Sequence, residues 1–343
     1  MTRALGFKGR DTGSTIRLLV VFIGAVAVSG FLSPLSLSPG GINLALVSFA
    51  TEVALVTLGQ ALVIITGGID LSVAGIVSVT GVTVGALAHQ GLPTIALILI
   101  GLAVGCTCGL INGLIVAYVG APPIMVTLAT GILFSGFALG VTQGVAYSVF
   151  PAAFLRLGQG GDGMPIQVLV AVAASAVVII MAGATRYGTW IYAVGANHRA
   201  ARLSGVPVEA TKVGVYLASG VLASIAGLIM TSRLNSSISD MGAGLELASI
   251  TAAVLGGISV FGGRGTLFGA ILGVLTISVL QNAMTLAGID SGTRSMVIAV
   301  LLITVLLSSR ITVGSLVSHF SSRGGGEGKR PIASDGDIQQ AAL

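Results

Sequence analysis

Asp70 lies inside an apolar run of more than forty residues, in the string Ile65-Thr66-Gly67-Gly68-Ile69-Asp70-Leu71-Ser72. A carboxylate at membrane depth costs about 2.5–3.5 kcal/mol on insertion scales, so it needs either a local partner or a function. Gly67 and Gly68 stand before it and Ser72 after it, the residue types of a broken helix whose backbone and side chains satisfy one another. The expected arrangement is a break in a moving core. There the Asp70 carboxylate accepts from the Ser72 amide and nearby backbone and caps the following span.

Few other polar groups occur in apolar surroundings: Glu52, Gln60, Asn112, Gln281 and Asn282. Glu52 and Gln60 are eight apart and share one helical face. Two readings stand side by side. Glu52, Gln60 and Asn282 line a solute path, or these groups form interhelical hydrogen bonds worth about 0.6 kcal/mol each.

Several chemistries lack their residues. The chain has no GxxxxGK[ST] loop to cradle nucleotide phosphates, and no GxSxG elbow. His89, His198 and His319 show no metal-ligand spacing. Cys106 and Cys108 are two apart, so on a helix they diverge and read as small packing residues. No catalytic residue, metal or bound cofactor is therefore expected. An ion-coupled carrier would need several deep acids, and only Glu52 and Asp70 qualify. Energy then enters from elsewhere, and the solute is neutral, as a sugar is.

Composition fixes the elements that must position these residues. Only 8% of the 343 residues are charged, far too few to cover a water-soluble globule. With 51 glycines, helices can approach closely in lipid. The expected fold is an all-α polytopic membrane protein of about ten spans: 17–33, 42–66, 71–88, 93–119, 124–142, 166–184, 213–231, 247–261, 266–287 and 295–309. Residues 1–16 form an N-terminal tail, 17–309 the membrane domain and 310–343 a C-terminal tail. Of the sixteen Lys and Arg, thirteen fall on one side of this plan. The positive-inside rule makes that side cytoplasmic, both termini included. The net charge of +5 therefore reflects membrane flanks and not a nucleic-acid partner.

An internal echo joins two breaks. Val63–Ile69 and Ala252–Ile258 both end an apolar segment in Gly-Gly-Ile, pairing Gly67 and Gly68 with Gly256 and Gly257. The match is short enough to arise by chance, or it marks an internal repeat of the kind on which transporters are built.

The longest polar insertion, 185–212, is cytoplasmic in this plan. Its stretch 197–204 can form a short helix with Asn197 as N-cap and Gly205 as terminator. Ala200, Ala201, Leu203 and Ser204 are small or apolar, suited to a partner's groove.

Three ordered motifs now carry a family likeness: Gly67–Ser72; Ala193-Val194-Gly195-Ala196-Asn197 with Ala200-Ala201 and Ser204-Gly205-Val206; and Leu255-Gly256-Gly257-Ile258-Ser259-Val260-Phe261-Gly262-Gly263-Arg264-Gly265-Thr266. The chain resembles the ribose/xylose/arabinose-type permeases of bacterial ABC importers over about residues 18–309. One departure is Ala74-Gly75, where that family usually carries its glycine one residue earlier. The resemblance implies a pair of permease subunits, identical or similar, in the inner membrane. It also implies a separate ATPase that binds ATP and Mg, and an extracytoplasmic sugar-binding protein. The loop around Gly195–Val206 would then couple the ATPase to the permease.

Overall fold

In the computed structural model, residues 12–159 and 165–310 are described, with backbone alone at 12–17 and 308–310. The C-terminal tail and most of the N-terminal tail lie outside these residues. The chain divides into two compact units, 1–302 and 303–343.

Among the described residues fourteen α-helices follow one another: α1 (Thr12–Leu32), α2 (Pro39–Ala45), α3 (Thr51–Ile65), α4 (Val73–His89), α5 (Thr94–Leu114), α6 (Pro123–Thr142), α7 (Ala152–Gln159), α8 (Ile166–Ala184), α9 (Arg186–Ala196), α10 (His198–Leu203), α11 (Val208–Leu234), α12 (Leu245–Leu255), α13 (Leu267–Leu286) and α14 (Ser291–Arg310). Among the described residues the only β pairing is a bridge between Tyr147 and Ser237. A π-helical turn, Leu46–Ala50, makes α2 and α3 continuous.

Among the described residues six helical segments are long and apolar enough to cross a membrane: 39–65, 94–119, 123–142, 166–184, 208–234 and 267–286. Four further apolar helices are shorter, at 18–32, 73–89, 245–255 and 291–307.

One expected span is corrected. Residues 247–261 read as a continuous apolar helix, yet α12 has 11 residues, about 16 Å at 1.5 Å per residue. That is roughly half of a hydrocarbon core about 30 Å thick. The preceding segment, 235–244, is non-helical, mostly turns, and packs along α4. Ser237 sits against Gly85, Met241 against Gly81, and Gly242 against Ala74. The Ser78 hydroxyl accepts from Gly242 N at 3.1 Å, and Tyr147 and Ser237 exchange backbone bonds of 3.1 and 2.9 Å. Of this segment Ser237, Met241 and Gly242 are buried, and these contacts with α4 and Tyr147 hold the non-helical backbone.

The centre is built from α3, α4 and α11. Helix α3 is mostly apolar and buried along nearly its whole length, Glu52 and Gln60 included, as expected for a helix enclosed by others. Most residues of the outer helices α5, α6 and α8 are not buried, which leaves them a face that lipid would cover. Helix α5 docks on α11 through Gly101, Gly105, Gly109 and Gly113, one glycine per four residues. A Cβ at Gly109 would stand 2.5 Å from the Tyr216 carbonyl oxygen and 3.0 Å from Leu217 Cα. Small residues thus set this spacing, as they do where water does not drive helices together.

Candidate coupling and gating site

The break after α3 begins at Gly67, whose φ of +86° is a left-handed conformation that other residues adopt only under strain. Gly67 N donates to Ile64 O at 2.9 Å and Gly68 N to Val63 O at 3.0 Å, closing the helix end. Asp70 follows, with no exposed surface. Its Oδ1 accepts from Ser72 N at 3.0 Å and from the Ser72 hydroxyl at 2.6 Å. Its Oδ2 accepts from the Ser219 hydroxyl of α11 at 2.8 Å.

The rest of the break is tied to the surrounding helices. The Asn112 amide of α5 donates to Ser72 Oγ at 2.7 Å, and the Thr127 hydroxyl of α6 to Ile69 O at 3.0 Å. The Gln60 amide, oriented to satisfy both its atoms, donates to Asp70 O at 2.9 Å and accepts from Asp70 N at 3.2 Å. Helices α3, α5, α6 and α11 therefore all hold residues 69–72. Asn112 was visible in the sequence as a polar residue in an apolar span. Ser219 and Thr127 were not, because serine and threonine are common in such spans.

The second break, after α12, repeats the first in geometry but not in the register of the strings. The left-handed residue is Gly257, with φ +87°. Gly257 N donates to Val254 O at 2.9 Å and Ile258 N to Ala253 O at 3.1 Å. Gly67 thus corresponds to Gly257, and Thr66 to Gly256. Gly256 instead packs its Cα against Gly269 and Ala270 of α13.

Helix α10 spans His198–Leu203. Asn197 Oδ1 accepts from Arg199 N at 3.0 Å and Ala200 N at 3.1 Å, while Gly205 closes the other end with φ +80°. Leu203 is 90% exposed, and Ala200 and Ser204 are exposed beside it. Ala201 is the exception among the expected docking residues: it is buried against Val194 and Val208 of its own chain. Consecutive residues of an α-helix point about 100° apart, and here Ala200 is exposed while Ala201 faces inward.

Both breaks meet the helix that carries α10. Gly195, in the last turn of α9, lies against Ile65, where a Cβ would overlap the Ile65 carbonyl oxygen and stand 2.6 Å from Gly263 N. Gly263 N itself donates to Ile65 O at 2.8 Å, and the Tyr192 hydroxyl to Gly265 O at 3.1 Å. Tyr187, also on α9, donates to Thr211 O at 2.9 Å, and burial pushes its phenol pKa up to about 12.

The three residues suggested for a solute path are all buried. Glu52 is 3% exposed and receives Arg233 Nε at 2.8 Å. Gln60 is occupied by the Asp70 backbone. Asn282 is buried and donates to Gly41 O at 2.9 Å. All three are held against their own chain's helices. Two further acids lie on and just after the segment 235–244 that packs along α4. Asp240 is exposed on that segment, and Glu246 opens α12 with a buried Oε2 that has no hydrogen-bond partner.

The profile of the branched-chain amino acid transport system / permease component family matches residues 42–306. The chain belongs to this permease family. The permease is 39% identical over 260 residues to the probable ABC transporter permease protein y4mJ of Sinorhizobium fredii, covering 75% of this chain and 78% of that one. It is 34% identical over 295 residues to the ribose import permease protein RbsC of Bacillus subtilis, at 85% and 90% coverage. With the autoinducer 2 import system permease protein LsrD of Salmonella typhimurium it shares 30% over 307 residues, at 87% and 92% coverage. No solved structure matches the permease at comparable significance. The likeness carried by the three motifs is thus borne out, and the permease is a multi-pass membrane protein.

Proposed function

We propose that this permease forms the transmembrane path of a bacterial inner-membrane ABC importer for a monosaccharide. Both termini and the α9–α10 segment face the cytoplasm, and α10 is the coupling helix that docks on a separate ATPase. That ATPase holds ATP and Mg. A second permease copy or paralogue completes the path, and an extracytoplasmic binding protein delivers the sugar.

The observation that carries this reading is the meeting of Gly195, Ile65 and Gly263. The segment presenting α10 touches the chain at both helix breaks, so a push on α10 reaches both. The sugar assignment draws on the relative named a ribose import permease and on the scarcity of interior acids. One of these, Glu52, is already neutralised by Arg233.

The test is uptake of radiolabelled ribose and other monosaccharides into proteoliposomes holding the permease, its cognate ATPase and binding protein. Uptake that needs ATP and all three components supports the proposal. Uptake by the permease alone, driven by a proton or sodium gradient, overturns it in favour of a secondary carrier.

A further inference from the structure

A cavity of about 270 Å³ opens between the turn joining α5 to α6, helix α10 and the first turn of α11. A chamber of about 90 Å³ adjoins it, shares His198 and Lys212 on its wall, and ends on Thr66–Gly68 and Tyr216. Neither is lined by the coupling contact at Gly195.

Three independent features give this space the chemistry of an anion site. The first is charge. The titratable groups on the walls are His198, Arg202, Glu209, Lys212 and Tyr216. Glu209, the single carboxylate, is ion-paired with Arg202. Lys212 makes no ion pair or hydrogen bond among the described residues, so positive charge is left over.

The second is the backbone. Two long helices begin on the cavity: α6 after Pro122 and α11 after Pro207, and neither has a side-chain cap. The first-turn amides of a helix have no intrahelical acceptor. They also form the positive end of its dipole, which favours an anion. The third is Tyr216. It is 1% exposed, and its hydroxyl on the inner chamber has no hydrogen-bond partner. His198 adds a constraint: its Nδ1 lies 2.6 Å from Val194 O and donates there, leaving Nε2 as its remaining polar atom.

We propose that this cavity binds a phosphate-type anion, either a free phosphate monoester or the headgroup of an anionic lipid. Lys212 supplies the charge, the amides of two helix starts and the Tyr216 hydroxyl supply hydrogen bonds, and Arg202 flanks them. A tetrahedral oxyanion has enough acceptor oxygens for donors arriving from α6, α11 and the inner chamber; a planar carboxylate has fewer. An anion held there touches α10, α11, the α6 start and the α3 break together, and so fixes their relative positions.

The test uses the full-length permease in neutral detergent, titrated with inorganic phosphate at constant ionic strength and read by thermal melting and ³²P-phosphate equilibrium dialysis. Saturable binding is expected. Lys212→Gln should weaken it at least tenfold, Tyr216→Phe severalfold, and Lys212→Arg should restore it. In nanodiscs, displacement of ³²P-phosphate by phosphatidate assigns the site to a lipid headgroup, and persistence of binding assigns it to a free phosphate. Equal phosphate affinity in wild type and Lys212→Gln overturns the proposal, as does the absence of saturable binding. If Lys212→Gln does not fold, Tyr216→Phe decides, since unchanged affinity there is equally fatal.

Discussion

Gly195 lies so close to Ile65 that no side chain fits between the last turn of α9 and the carbonyl that ends α3. The contact joins the segment carrying α10 to the first helix break, and Gly263 binds the same carbonyl from the second. Gly195→Ala should therefore force α9 away from both breaks. Overpacking of this kind costs about 1–3 kcal/mol. The expected outcome is a lower melting temperature in detergent, with sugar uptake reduced more than the amount of folded protein. Unchanged melting and unchanged uptake would show that the contact tolerates a methyl group.

The carboxylate of Asp70 holds three donors, two from Ser72 and one from Ser219. Asp70→Ala strands them in a dry interior, where each lost partner costs about 1–3 kcal/mol. A total loss of about 3 kcal/mol or more is expected, and Asp70→Asn, which keeps an acceptor for Ser72, should lose less. Denaturant unfolding of the two variants side by side gives the comparison. Equal losses would mean that the hydrogen bonds to Ser72 contribute nothing.

Glu52 and Arg233 form a pair with side-chain exposures of 4% and 20%. Removing either partner leaves a buried charge alone, which costs about 3 kcal/mol or more. Glu52→Gln and Arg233→Gln should each destabilise strongly, and the double variant should be far less damaged than the sum. A double-mutant cycle on melting measures that coupling. Additive losses would contradict the pairing.

On α10 the side chains divide by face. Leu203→Glu, at an exposed position, should change stability by no more than about 0.5 kcal/mol yet prevent co-purification of the ATPase. Ala201→Glu places a charge against Val194 and Val208, and should instead lower the amount of folded protein. Retained ATPase binding by Leu203→Glu would remove α10 from the docking surface.

Tyr187 gives a pH signature. Its phenol is raised from the ordinary 10.0 to about 12 by burial, so the folded state holds the proton more tightly than the unfolded chain. Its contribution to stability is complete below pH 10 and is lost as pH rises towards 12. Melting of wild type should fall more steeply across that window than melting of Tyr187→Phe. Identical slopes would place the ionisation elsewhere.

Much of the candidate site was legible because its chemistry is local. Asn197 and Gly205 bound a short helix whatever surrounds it. Two glycines before Asp70, with a serine after it, specify a break and a carboxylate that accepts from the next turn. Glu52 and Gln60 were legible only as polar residues. Nothing in their spacing distinguishes a path from an interhelical bond, since Arg233 and the Asp70 backbone reach them from distant parts of the chain.

The sequence by itself determined the class of molecule, because so few charges among so many apolar residues leave only lipid as a surrounding for the helices. It also determined the family, through strings whose glycines are fixed by backbone geometry. Tertiary structure alone decided that 235–244 descends beside α4, that Ala201 faces inward, and that Gly195, Ile65 and Gly263 meet. The physical reason is range. A helix end or a cap is set within a few residues by steric and hydrogen-bonding rules. The partner of a buried polar group is set by which helices pack together, and in a chain this uniformly apolar, hydrophobic patterning does not encode that choice.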